Sequence, residues 1–152
     1  MPDEAGLLAE RDAIESLARL VHQAIPEGFS TGILRVSSLA PTSLLSLEVR
    51  DDAGRTDSVR TRGPFAAQAK ALRSLMYRPE VGTWFSFEMT VTIAGSVTTR
   101  FDFDDEPEWD VPVDPVAYVK DQEEFPRDEA HQPDWLRDRL AEGRERRAAA
   151  GS

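Results

Sequence analysis

The chain has 152 residues, of which 40% are hydrophobic and 30% are charged, a composition typical of folded globular proteins and not of disordered ones. Its formal net charge of −10 disfavours binding to nucleic acid or to an anionic membrane, because both are polyanions. The absence of cysteine excludes disulfides, thiolate metal sites and thiol nucleophiles, and it is consistent with a reducing compartment.

The length predicts a single domain over residues 1–142, followed by a frayed tail over residues 143–152. No apolar run approaches the length of a membrane span, and the N-terminal segment carries too much charge for a signal peptide. We therefore expect a cytoplasmic protein that makes no membrane contact.

Hydrophobic periodicity predicts the elements of the first half of the chain. Apolar residues at helical spacing indicate a first helix over residues 4–25, which Pro26 ends. Alternation of apolar and polar residues, with turn residues between, then predicts three short strands over 31–37, 43–50 and 55–61.

A second helix should begin at Gly63-Pro64, since proline suits the first helical position, and should end at Arg78-Pro79. Its inner face is expected to carry the apolar residues Phe65, Ala69, Leu72 and Met76.

Residues 85–93 and 97–103 alternate strongly and predict a β-hairpin. A three-residue turn at 94–96 would set Met89 opposite Phe101, which places apolar side chains together on one face. In that register Glu88 lies opposite Asp102, an unfavourable pair of like charges that Arg100 would partly offset. The same alternation assigns Phe85 to the core beside Phe87, and Trp84 to the other face of the sheet.

The rest of the chain reads as an acidic, proline-rich helical extension that begins at about residue 104. Asp114 is expected to cap a short helix over 115–124, and Pro133-Asp134 to open a last helix. The predicted fold class is therefore α+β: an antiparallel sheet of about five strands, two helices packed on one face, and a short helical C-terminal extension.

The net charge of the chain is concentrated in one segment, residues 101–129, which holds twelve acidic and two basic residues. Such a concentration repels itself and favours a surface that recognises a basic protein, because clustered carboxylates steer a cationic partner. The alternative is that these acidic residues form an ordinary solvent-exposed surface with no binding role. The candidate partner-binding residues are Asp102, Asp104, Asp105, Glu106, Glu108 and Asp110, with Trp109 as an aromatic anchor.

Two chemical alternatives are weaker. Asp102, Asp104 and Glu106 have the spacing of the first ligands of a calcium loop, but Pro107 replaces the required glycine and Val113 the final glutamate. The second is hydrolysis by paired carboxylates, for which the signal is weak because chance pairing is expected among so many acidic residues. The sequence also has no glycine-rich phosphate loop, no paired histidines and no nucleophile elbow. We expect no catalytic residues, no metal and no cofactor.

The order of short motifs resembles the YezG-type antitoxin family, immunity proteins that neutralise secreted bacterial toxins, many of them nucleases. The motifs are Ala24-Ile25-Pro26-Glu27, Leu75-Met76-Tyr77, Gly82-Thr83-Trp84-Phe85, Gly95 and Arg100-Phe101-Asp102-Phe103-Asp104. The resemblance covers about residues 10–110, and the extension from Pro112 onward goes beyond the family pattern. It implies a non-enzymatic protein that binds a basic toxin. A module of unknown role that self-associates is the rival hypothesis, so the chain is expected to be a monomer or a homodimer.

Overall fold

The computed structural model describes residues 4–151 and has an α+β fold, with a five-stranded antiparallel sheet in the order β3-β2-β1-β4-β5. The elements are α1 (Glu4–Ala24), β1 (Thr31–Leu39), β2 (Thr42–Arg50), β3 (Thr56–Val59), α2 (Gly63–Leu75), β4 (Ser86–Thr92), β5 (Val97–Asp102), α3 (Val116–Glu124) and α4 (Asp134–Ala150). None of these helices is long and apolar enough to cross a bilayer. Residues 1–3 of the predicted domain and residue 152 of the predicted tail lie outside the described residues.

Helices α1 and α2 cover one face of the sheet, as the sequence predicted. Between them lies the main core, to which the helices contribute Leu17, Val21, Phe65 and Leu72 and the strands contribute Leu34, Val36, Leu47, Phe87 and Met89. Period-two alternation along the strands places these residues on the covered face, so burial of this apolar surface accounts for the predicted architecture.

The turn of the β4–β5 hairpin lies one residue earlier in the chain than predicted, so the two strands pair in a different register. Phe87 pairs with Phe101, and Glu88 pairs with Arg100 instead of Asp102, so no like charges are opposed. The three-residue turn spans 93–95 because Gly95 has φ of +100°, a conformation that glycine adopts without steric cost. The turn places Ile93 in solvent, with 56% of its surface exposed.

The prediction that Phe85 is a core residue is confirmed, but Trp84 does not lie on the other face from Phe87. Trp84 is fully buried in the main core, with its ring centroid 4.8 Å from that of Phe87, and Phe85 is buried in a second apolar cluster. The Phe85 N–H donates to the Asp102 carbonyl, 2.8 Å away, although Ser86 is the residue that pairs with Asp102. Phe85 and Ser86 thus both lie opposite the single residue Asp102, as in a β-bulge. The alternation that holds along β4 therefore does not extend back to residue 84.

The C-terminal extension is an ordered layer of two packed helices. The second cluster joins Leu39 and Phe85, from the end of the sheet, to Tyr118, Val119, Leu136 and Leu140 of α3 and α4. The Asp114 carboxylate accepts a 3.0 Å hydrogen bond from the Val116 N–H, the first residue of α3, although Pro115 and not Asp114 stands at the N-cap of the helix.

Residues 143–150 are helical, whereas the sequence predicted a frayed tail from residue 143. Gly143 is buried where α4 crosses α3, and a Cβ there would meet the Pro115 carbonyl oxygen and lie 2.6 Å from Val119 Cγ2. Farther along α4, the Arg147 guanidinium donates two hydrogen bonds to the Glu123 carboxylate, at 2.8 and 3.0 Å. The helix therefore continues because it has tertiary contacts beyond residue 142.

Gly143→Ala should destabilise the protein by about 1–3 kcal/mol, because the added methyl group forces α4 away from α3. The matched control is Gly63→Ala, where a methyl group meets nothing within 4 Å. Urea unfolding followed by circular dichroism measures both variants. Equal stability of the two variants would contradict the close helix contact.

Candidate binding site on the polar face of the sheet

The sheet face opposite α1 and α2 is polar and carries a network of ion pairs. Arg35 on β1 donates to Glu88 on β4 at 3.0 Å and to Glu48 on β2 at 3.4 Å. The Arg50 guanidinium donates to Glu48 at 2.5 Å, and this hydrogen bond is the main cause of the lowered pKa of Glu48. The strands thus present paired acidic and basic side chains on this face.

A groove of about 730 Å³ lies between this face and the loop that follows β5. We call it the polar groove, and we call residues 102–110 the acidic loop. Five carboxylates and two guanidinium groups line the groove, so it carries a negative net charge. These charged residues are Glu88, Asp102, Asp105, Glu106, Glu108, Arg35 and Arg100.

Asp102 organises the start of the acidic loop. Its carboxylate accepts hydrogen bonds from the N–H groups of Asp104, at 3.0 Å, and Asp105, at 2.9 Å. Partial burial acts to raise the pKa of Asp102, but these N–H donors outweigh it and the net pKa is lowered. The Asp105 pKa is raised, first because its carboxyl shares a hydrogen bond with the Asp102 carboxylate and then because of the Asp102 charge.

Helices α3 and α4 hold the acidic loop at three further points. The Trp135 indole N–H donates to the Asp104 carbonyl at 2.6 Å, and Arg139 donates to the Glu106 carboxylate at 2.7 Å. The Trp109 indole N–H donates to the Tyr118 hydroxyl at 3.1 Å. The position of the groove carboxylates therefore depends on the docking of the C-terminal helices.

A buried ion pair docks those helices onto the domain. Arg73 of α2 makes a bidentate contact with Asp121 of α3, and their side chains are only 2% and 8% exposed. Arg73 also donates to the Trp84 carbonyl at 2.8 Å, and Asp121 accepts the Ala40 N–H at 2.7 Å. These additional hydrogen bonds satisfy both charged groups, which a buried pair requires.

Arg127 makes a second connection between the extension and the domain. Its guanidinium lies 4.6 Å from the Phe85 ring centroid and donates to the carbonyl oxygens of Thr83, at 2.9 Å, and Phe103, at 2.5 Å. It also donates to the His131 carbonyl at 3.1 Å. Desolvation lowers the pKa of Arg127, and these three carbonyl oxygens accept hydrogen bonds from its guanidinium group.

The structure brings four of the seven sequence-predicted site residues into the polar groove: Asp102, Asp105, Glu106 and Glu108. Asp104 lines a different cavity, beside Arg127 and His131. Trp109 and Asp110 lie on the far side of the loop, and Trp109 is half-buried against the second cluster.

Sequence reasoning missed the floor of the groove, which includes Arg35, Ser46 and Glu88. A signal for it existed, because the alternation of apolar and polar residues along 43–50 and 85–93 places Ser46, Glu48 and Glu88 on the polar faces of their strands. What the sequence did not supply was the path of the loop that brings the acidic residues over that face.

Within residues 4–151, no three or more His, Asp or Glu side chains cluster in a way that could hold a metal ion. No protein-family model matches the chain, and no curated protein is significantly similar to it.

Asp121→Ala should destabilise the protein by about 3–5 kcal/mol, because it leaves the Arg73 charge buried without a counterion. The double variant Arg73→Met/Asp121→Leu removes both charges and should be less destabilised than Asp121→Ala. Urea unfolding of the two variants and the wild type gives the comparison. A double variant that is the less stable of the two would show that the pair does not act as a unit.

Asp102→Asn should lower the pH at which Asp105 takes up its proton, because the substitution removes the negative charge that favours protonated Asp105. The asparagine oxygen can still accept the N–H groups of residues 104 and 105, so the turn should persist. Carboxyl-detected NMR titration measures the Asp105 pKa directly. Glu108→Gln is the control and should leave it unchanged; an unchanged Asp105 pKa in Asp102→Asn would contradict the coupling.

Proposed function

We propose that this chain is a non-enzymatic, cytoplasmic immunity-type protein that binds and neutralises a basic protein toxin at the polar groove. The observation that carries the proposal is the convergence of four acidic-loop carboxylates with Glu88 around one groove whose walls are fixed by α3 and α4. A preformed array of like charges loses little conformational entropy when a partner binds.

The negative charge of the groove suits a basic toxin, which is the class of partner that the resemblance in motif order implies. Nuclease toxins bind phosphates with basic active sites, so an inhibitor that presents carboxylates can occupy the same surface. Clustered carboxylates also accelerate encounter with a cationic partner, which is an advantage for a protein that must act before the toxin does.

The geometry favours the groove carboxylates over Trp109 as the main contacts. Asp105 and Glu108 are exposed and have no basic partner within residues 4–151 at salt-bridge distance. Trp109, in contrast, is already packed and hydrogen-bonded to Tyr118. We therefore infer that the groove carboxylates recognise the partner and that Trp109 supports the acidic loop.

The cytoplasmic location belongs to the same proposal. A chain with no cysteine needs no oxidising compartment to fold. An immunity protein that protects its own cell must also be where the toxin would act.

The double charge reversal Asp105→Lys/Glu108→Lys should abolish capture of a basic protein from the native cell lysate. For any partner so identified, the association rate should fall about tenfold or more at low salt, because the steering charge has been inverted. Affinity capture with mass spectrometry identifies the partner, and surface plasmon resonance at several salt concentrations measures the rate.

The matched control is Asp12→Lys/Glu27→Lys, which makes the same charge change at exposed positions outside the groove. This control should retain the partner. A partner that binds the groove variant with an unchanged association rate and salt dependence would contradict the proposal.

A further inference from the structure

The two apolar cores of this chain belong to different segments. Within residues 4–151, the buried residues of the main core run from Leu17 to Val91, and the partly buried residues around them run from Ala13 to Phe103. We call residues 4–103 the N-terminal unit and residues 104–151 the C-terminal extension. The extension contributes only to the second cluster, so the sheet, α1 and α2 bury their own core without it.

The C-terminal extension, in contrast, depends on the N-terminal unit. Its buried apolar side chains are those of Tyr118, Val119, Leu136 and Leu140. So few buried side chains do not offset the conformational entropy that a segment of this length loses when it folds alone. The second cluster is complete only when these side chains pack on the N-terminal unit, so folding of the extension and its docking are one event.

Much of the contact between the two segments is charged and buried. The side chains of Arg73 and Asp121 are 2% and 8% exposed, and Arg127 is 5% exposed. Undocking would return all three charged groups to water, so the hydration that they lose on docking offsets most of their attraction in the docked state. The lowered pKa of Arg127, caused first by desolvation, reflects this cost. These contacts therefore fix the position of the extension but add little to the free energy of docking.

We propose that the C-terminal extension undocks and unfolds as one cooperative unit while the N-terminal unit stays folded. The asymmetry between the two cores carries the proposal, since the main core is closed within its own segment and the second cluster needs both segments. Parts of a protein that open before the rest are those with few buried apolar contacts, and the extension fits this description.

Undocking would act as a switch for the polar groove. It removes the hydrogen bonds of Trp135 to the Asp104 carbonyl and of Arg139 to Glu106, so the acidic loop is released while the polar face of the sheet persists. By linkage, any partner that binds the ordered loop also stabilises the docked extension. The undocking itself goes beyond the proposed function and does not depend on it.

The three tryptophans of the chain divide between the two cores and report on both units in one experiment. Trp84 is fully buried in the main core, whereas Trp109 and Trp135 pack against the second cluster. A urea titration of the wild type is followed by the three indole N–H signals in 15N NMR. The native signals of Trp109 and Trp135 should disappear together, at a urea concentration about 1 M or more below that at which the Trp84 signal disappears.

Two substitutions in the full chain should move the two transitions separately. Asp121→Ala should lower the urea midpoint of the Trp109 and Trp135 signals by about 1 M or more, or abolish their native signals without urea, and should leave the Trp84 midpoint unchanged. Val21→Ala is the reciprocal control, because Val21 is fully buried in the main core. It should lower the Trp84 midpoint and leave the earlier transition where it is.

Three outcomes would overturn the proposal. They are loss of all three native signals at the same urea concentration in the wild type, loss of the Trp84 signal first, and an Asp121→Ala variant whose Trp84 midpoint falls as far as those of Trp109 and Trp135. A single cooperative unit would give the first of these results. None of these measurements uses a basic partner, so their outcome is separate from that of the proposed function.

Discussion

The arrangement of this protein depends on one buried ion pair, between Arg73 of α2 and Asp121 of α3. Helices α3 and α4 bury Tyr118, Val119, Leu136 and Leu140 against the end of the sheet, and the ion pair anchors α3 to α2 beside this cluster. Once docked, the helices supply Arg139 and Trp135, which hold the acidic loop over the polar face of the sheet. Removing one member of such a pair is costly, because the other is left charged in a site closed to water. The structure thus links a contact in the interior to the position of carboxylates on the surface.

The architecture of the sheet and its two covering helices could be predicted because it follows from local patterns. Alternation along β4 identified both its buried and its polar face, and Pro26 and Pro64 marked helix ends correctly. The hairpin register was missed although the signal was present: Gly95 suits the left-handed third position of a three-residue turn, which places the turn at 93–95. The assignment of Trp84 failed because a bulge next to Asp102 interrupts the alternation, and nothing in the local sequence marks it.

The site was predicted only in part, for a reason that is also physical. Charge density located the acidic loop, but where its side chains point is decided by contacts between residues distant in sequence. Arg73 and Asp121 are 48 positions apart, and the sequence marks neither as a buried residue. Gly143 likewise reads as a helix breaker and a possible end, whereas in the fold it permits close approach of α4 to α3. Tertiary packing overrides local propensity at both places.

In this structure the acidic loop is held in place by the chain itself, before any partner binds. Amide hydrogen exchange of the free protein, with the indole N–H of Trp135 as a second probe, tests this most directly. We expect the amides of Asp104 and Asp105 and this indole N–H to exchange far more slowly than in an unstructured peptide, because the Asp102 carboxylate accepts the two amides and the docked α4 supplies the indole that binds the Asp104 carbonyl. Exchange of the loop amides at the rate of an unstructured peptide, while the helices remain protected, would contradict it.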